Sequence, residues 1–162
     1  MRLWLPSGPF VRRLAFVDEN PEATNLLVAL ERALLPLPEV QAALLFGSHA
    51  TGRAKPESDI DIAVLLDEAP EPSKRKALLR NLIAALGERL RADRLDLVIL
   101  NDAPPKLAFH VLKDGKLAFE RDRGPLHRFR VATYRRHADY EPVERFFRRI
   151  TKARAQQEAA HG

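Results

Sequence analysis

No cysteine occurs among the 162 residues, which removes disulfides, zinc ribbons, thiolate catalysis and iron–sulfur clusters together. Long apolar runs are missing as well. Uninterrupted stretches such as Ala42–Phe46 and Ile62–Leu66 hold five residues each, against the ~20 that a helix needs to cross a bilayer. The first apolar stretch, Leu3-Trp4-Leu5, stops at Pro6 and is too short for a signal-peptide core. His110, His127, His137 and His161 show no metal-ligand spacing, and no Gly-Lys-Ser/Thr follows Gly47 to Gly52, so that loop is not a Walker loop. These absences predict a soluble, cytoplasmic protein of a reducing compartment. The length suits one domain with a core of its own.

Charge is present but unevenly spread. The formal net charge is +5, yet Arg121 to Arg154 alone holds eleven Arg or Lys against four acids. That segment carries +7, which leaves the remainder of the chain at −2. The body is therefore mildly acidic and the tail strongly basic, an asymmetry compatible with a nucleic-acid or acidic partner and equally with a solvated Arg-rich helix.

Periodicity organises the chain into a mixed α/β body and a helical tail. Phe10-Val11 and Leu14 to Val17 offer a short strand or packing arm. Asn20 suits an N-cap with Pro21 at the first helical position. Leu26, Leu27, Leu30, Ala33 and Leu34 then form a helical stripe that Pro36 and Pro38 end. Val40 to Phe46 reads as a buried strand, Gly47 to Ser58 as a loop of turn formers, and Asp59 to Leu66 as a second strand. Pro72 opens a helix with Leu78, Leu79, Leu82, Ile83, Leu86 and Leu90 on one face. Leu95 to Leu100 is a third strand, Asp102 caps a helix through Val111 that Gly115 ends, and Leu117 to Phe119 is a last strand. Two helices finish the chain, Pro125 to His137 and Glu141 to Arg154, the second with Val143, Phe146, Phe147 and Ile150 at core-facing spacing.

The chemistry lies between Phe46 and Ile62. Side chains alternate along a strand, so Asp59 and Asp61 share one face about 6.6 Å apart while Ile60 and Ile62 point into the core. Two carboxylates so placed repel unless a cation neutralises them. Mg²⁺ takes oxygen ligands, commonly one or two carboxylates together with substrate phosphates, and two such ions stabilise both oxygens of an in-line phosphoryl displacement. Asp96 is a single acid at the start of an apolar strand. If that strand lies beside the second, Asp96 faces Asp59 and Asp61. Gly47-Ser48 ends the preceding strand at the same level, where glycine lets a phosphate approach and the Ser48 N–H and hydroxyl reach its oxygens. Taken singly, each piece has a plainer explanation: a solvated strand face for the two Asp, a turn for Gly-Ser, a surface pair of Asp96 with Arg94, and an ordinary loop position for His49. The combination of an apolar strand ending in Gly-Ser, ten residues, then Asp-Ile-Asp entering another apolar strand is specific.

Gly47-Ser48, the ten intervening residues and Asp59-Ile60-Asp61 resemble the signature of the nucleotidyltransferase superfamily related to DNA polymerase beta. The short length resembles its minimal branch, the MntA-type antitoxins, as do Asn101 to Pro105 and Gly115 to Asp122. The resemblance covers roughly Val40 to Asp122. It implies an α+β fold, a mixed sheet packed with helices plus C-terminal helices, organised as one minimal domain over 1–162: an N-terminal extension and helix (1–38), a catalytic core (39–122) and the basic helical tail (123–162). It further implies that Asp59, Asp61 and Asp96 are the catalytic residues and hold two Mg²⁺ ions, and that Gly47 and Ser48 position the triphosphate. Thr51 departs from the pattern, standing where many members carry Arg, and Arg53 is the residue available to supply that charge.

The function expected is AMP transfer from ATP to a hydroxyl with release of pyrophosphate. At this length there is little room for an acceptor domain, which favours a protein acceptor. The resemblance implies a HEPN ribonuclease toxin of the HepT type, modified on a tyrosine and held in a hetero-oligomer. Two other classes stay open: a non-catalytic antitoxin or nucleotide-binding module working by contact through the tail helices, and a nucleic-acid binder using the basic tail. The Asp residues separate them, since only the enzyme needs their charge; nucleic-acid binding would instead weaken steeply with salt.

Overall fold

The computed structural model describes residues 21–69, 71–90 and 94–160, with side chains beyond 142 given only in part. The N-terminal strand or arm, the Asn20 cap and the side chains of Val143, Phe146, Phe147 and Ile150 lie outside the described residues. The elements run α1 (Pro21–Leu34), β1 (Val40–Phe46), α2 (Gly47–Thr51), β2 (Ile60–Leu66), α3 (Pro72–Leu90), β3 (Leu95–Ile99), a 3-10 turn (Leu100–Asp102), α4 (Pro105–Asp114), β4 (Lys116–Glu120) and α5 (Arg123–Ala160). The strands form one mixed sheet in the order β3-β2-β1-β4. β1 is antiparallel to β2 and β4, while β2 and β3 are parallel.

Helices cover both faces, which explains why β1 and β2 read as nearly continuous apolar runs. On one face, Leu27, Leu30 and Leu34 of α1 and Leu82 and Leu86 of α3 pack on Ala43, Leu45, Ile62, Val64, Leu97 and Ile99. On the other, Ala108, Val111 and Leu112 of α4 and Leu126 of α5 meet Ala42, Leu44, Ala63 and Leu65. Each fully buried Leu or Ile contributes about 1.5–3 kcal/mol. Ile83, expected on the packed face of α3, is 38% exposed; its position falls beside the Leu78-Leu82-Leu86 stripe.

Beyond small shifts, such as one residue at the ends of β2 and β3, three features depart from expectation. The segment after β1 is a loop only from Gly52 onward, because Gly47 to Thr51 forms a helical turn. Asp102 sits in the 3-10 turn instead of capping α4, and its carboxylate pairs with Arg75 at 2.9 Å. The tail is one helix of 38 residues with Pro142 inside it. Proline removes one helical hydrogen bond, but Ala138, Asp139 and Tyr140 around the orphaned carbonyl are exposed, which leaves it open to solvent, and the helix continues. At 1.5 Å per residue α5 is about 57 Å long, more than twice the span of a seven-residue strand, and it overruns the sheet.

Arg121 also belongs to the fold instead of to a free basic tail. Its guanidinium donates to the Leu35, Leu37 and Val40 carbonyls at 2.9–3.1 Å and lies over the Phe119 ring, tying β4 to the connection between α1 and β1. Asn101 makes a comparable clasp, accepting from the Leu66 N–H at 2.9 Å and donating to the Leu66 carbonyl at 3.1 Å.

Candidate active site

Register decides which acids meet. In the parallel pair of β2 and β3, Asp61 stands opposite Asp96. In the antiparallel pair of β1 and β2, Phe46 stands opposite Asp61, so the residues after Phe46 turn over that carboxylate. Ile60, Ile62, Leu95 and Leu97 face α1 and α3. Alternation therefore puts Asp61 and Asp96 on the opposite face, at the strand ends beyond the residues that α4 and α5 bury. Asp61 is half-buried, whereas Asp59 and Asp96 are exposed. Asp59 lies one residue ahead of β2, outside the strand expected to contain it.

The electrostatics register this crowding. Burial, then the Asp96 charge, then that of Asp59 push the Asp61 carboxyl above the usual carboxylate range, with His49 acting in the opposite direction. Asp61 is therefore within electrostatic reach of both other sequence-predicted carboxylates. Among the described residues no three His, Cys, Asp or Glu side chains close on one point as a ready-made metal cage. Mg²⁺ commonly combines one or two carboxylates with phosphate oxygens and water. Hard oxygen donors, mutual repulsion and exposure on one side fit the ion.

Gly47 is where glycine is required. Its φ is +68°, and a Cβ there would overlap the Asp61 carboxylate, lying 2.7 Å from Cγ and 3.2 Å from the Asp61 Cβ. The missing side chain makes room for the carboxylate beneath the turn. Ser48 follows in the first turn of α2, whose N-terminus has no side-chain cap. Thr51 donates its hydroxyl to the Gly47 carbonyl at 3.0 Å and the Ser48 carbonyl at 3.3 Å, a local role with no charge to offer. The Ser48 carbonyl also receives the N–H of Gly52 and that of Arg53, the latter at 2.9 Å. The Arg53 side chain is exposed and is not drawn into the carboxylate group.

Two residues given no site role from sequence hold this region together. His49 Nε2 lies 3.4 Å from the Ser58 carbonyl, and Arg94 Nη1 donates to the Glu57 carbonyl at 2.7 Å. A surface pair of Arg94 with Asp96 is not what the side chain makes. No spacing rule relates position 49 to position 58 or position 94 to position 57, so only the folded chain brings them together. A hollow of about 680 Å³ lined by Glu39, Asp67, Glu68, Glu71 and Lys74 lies at the other end of β2 and holds none of the predicted site residues.

Comparison with known proteins gives a consistent picture. Residues 30–124 match the family described as Polymerase beta, Nucleotidyltransferase. Protein adenylyltransferase MntA of Aphanizomenon flos-aquae (strain 2012/KM1/D3) is 29% identical over 136 residues, spanning 79% of this chain and 89% of that protein. A crystal structure of a toxin–antitoxin with AMP-PNP is 28% identical with a TM-score of 0.57, over 75% of this chain and 97% of its counterpart. The MNT antitoxin in complex with tri-AMPylated Shewanella oneidensis HEPN toxin is 26% identical with a TM-score of 0.53, over 77% and 98%.

Proposed function

The chain belongs to the polymerase beta nucleotidyltransferase family, and on that premise we propose that it transfers AMP from ATP to a tyrosine hydroxyl of a HEPN toxin of the HepT type, acting as the antitoxin of the pair. The observation that carries this reading is the facing of Asp61 and Asp96 across two parallel strands, with Gly47 leaving room over Asp61. The family's substrate chemistry then has a place to occur. The solved relatives with AMP-PNP and with an AMPylated HEPN toxin support the nucleotide and the acceptor.

In this mechanism the phenolic oxygen attacks the α-phosphorus, the bond to the bridging oxygen breaks, and pyrophosphate leaves. Asp59 and Asp61 are the residues that would hold Mg²⁺, with Asp96 sharing one ion; the ions, when bound, neutralise triphosphate charge. Asp96 takes the phenolic proton. Ser48 offers its N–H and hydroxyl to the triphosphate, and Gly47 lets the phosphates come close to the backbone. Arg53, on the loop after α2, is the cation available to the outer phosphates. Most of the acceleration comes from positioning and charge stabilisation. No helix among the described residues is long and apolar enough to cross a membrane, and we place the reaction in the cytoplasm.

The test is to incubate the chain with ATP, Mg²⁺ and its cognate toxin and to weigh both proteins intact. The toxin gains whole AMP units; Asp59→Asn and Asp61→Asn abolish the gain while circular dichroism shows an unchanged fold. Full activity in either variant would sink the mechanism. Protection of cells by those variants would instead favour neutralisation by contact.

A further inference from the structure

Asp59 is exposed and precedes β2, so, unlike Asp61 and Asp96, it has no strand pairing of its own to fix it. What fixes the peptide leading to it is a pair of side chains from two other elements. Arg94 reaches the Glu57 carbonyl at 2.7 Å from the start of β3. His49 reaches the next carbonyl, that of Ser58, at 3.4 Å from α2. The turn between them is closed internally: the Ser58 N–H donates to the Lys55 carbonyl and the Lys55 N–H to Ser58 Oγ, each at 2.9 Å. One further bond, Ile60 N–H to the Arg94 carbonyl at 3.1 Å, starts the pairing of β2 with β3.

Each clamping side chain lies in or immediately beside an element that delivers another member of the site. His49 shares α2 with Gly47 and Ser48, and Arg94 stands two residues before Asp96. We infer that His49 and Arg94 are positioning residues which, by holding the consecutive carbonyls of Glu57 and Ser58, set the place of Asp59 relative to Gly47-Ser48 and Asp96 and thereby the affinity of the site for a divalent cation. The inference rests on the reading that the carboxylates hold such an ion. Neither side chain touches the cation or nucleotide in this role. A site that must be held to within ~0.5 Å needs the turn anchored to the rest of the fold as well as closed on itself, and the Arg94 and His49 contacts supply that anchoring.

Mn²⁺ is the probe, titrated into the full-length chain with a non-hydrolysable ATP analogue while the resonance of free Mn²⁺ is followed. His49→Ala and Arg94→Ala each weaken Mn²⁺ binding roughly three- to tenfold, the equivalent of one net hydrogen bond. His49→Gln and Arg94→Lys, which keep a donor, recover most of it. The double alanine variant is weaker than either single by less than the product of the two effects, because both act on one peptide segment. Melting temperatures stay within a few degrees of the parent, since the Arg94 bond is exposed and the half-buried His49 contact is long at 3.4 Å. Alanine variants that bind Mn²⁺ like the parent, or donor-keeping variants as weak as the alanines, overturn the inference. A parent chain that binds Mn²⁺ no better than Asp61→Asn overturns the carboxylate reading beneath it, and the inference falls with it.

Discussion

Gly47→Ala and Gly52→Ala form an unusually controlled pair. Both glycines have positive φ, +68° and +70°, so an alanine at either meets the same backbone penalty of about 1–2 kcal/mol. At roughly 2–4 °C per kcal/mol for a domain of this size, each variant melts about 2–8 °C below the parent. Their surroundings differ. Nothing lies within 4 Å of a Cβ at Gly52, whereas at Gly47 it would sit 2.7 Å from the Asp61 Cγ, well inside the ~3.5 Å at which carbon atoms pack. A carboxylate can swing away, so the fold tolerates the change, but it swings out of the place where it acts. A shift of about 1 Å in a reacting group costs on the order of 100-fold. The assay is the rate of AMP addition to the toxin, followed by intact mass below both melting temperatures, beside thermal unfolding of each variant. Gly52→Ala keeps the parent rate and Gly47→Ala loses at least about 100-fold. Equal losses of activity, or a Gly47→Ala rate within a few-fold of the parent, would refute the steric argument.

The raised pKa of Asp61 predicts a pH dependence. Cation binding needs the carboxylate, so protons compete with Mg²⁺ at a higher pH than at an ordinary aspartate. The Mg²⁺ concentration for half-activation therefore rises as pH falls through the Asp61 pKa, and binding there releases protons measurable in weak buffer. For stability the sign is opposite to that of a salt-bridged acid: the metal-free fold binds the proton more tightly than the unfolded chain, so this group's contribution worsens as pH rises from the unfolded to the folded pKa. The melting difference between the parent and Asp61→Asn isolates it, and a difference that does not change with pH would contradict the assignment. Arg121→Ala removes three carbonyl contacts and the stacking on Phe119, which lowers stability by about 2 kcal/mol and melting by roughly 4–8 °C. AMP transfer below that temperature is unchanged; a loss of transfer without a loss of stability would move Arg121 from the fold into the site.

Much of the architecture was legible because it follows from short-range chemistry. Strands β1, β2 and β3 and helices α1 and α3 lie within a residue or two of their expected bounds, since uninterrupted apolar runs and helical stripes dictate burial locally. Errors fell where a local signal competes with solvent or with a distant partner. The break expected between His137 and Glu141 is missing, because Ala138, Asp139 and Tyr140 ahead of Pro142 are exposed and α5 passes through it. Asp102 reads as a cap, yet Arg75 claims its carboxylate. Arg121 counts as one more tail charge, yet carbonyls some eighty positions earlier in the chain hold its guanidinium.

The same division runs through the site. The nearness of Asp59 and Asp61 follows from their spacing of two along the chain, and the Gly-Ser turn from residue chemistry alone; that Asp59 stands one residue ahead of β2, outside the strand alternation, is seen only in the fold. The closeness of Asp96 depends on which strand pairs with β2 and in what register, a matter of packing between segments 35 positions apart. Only the folded chain shows that Gly47 must lack a side chain because Asp61 lies beneath it, and that His49 and Arg94 grip adjacent carbonyls ahead of Asp59. Local rules see spacing along the chain; shared space between remote residues is decided by the tertiary contacts that bring them together.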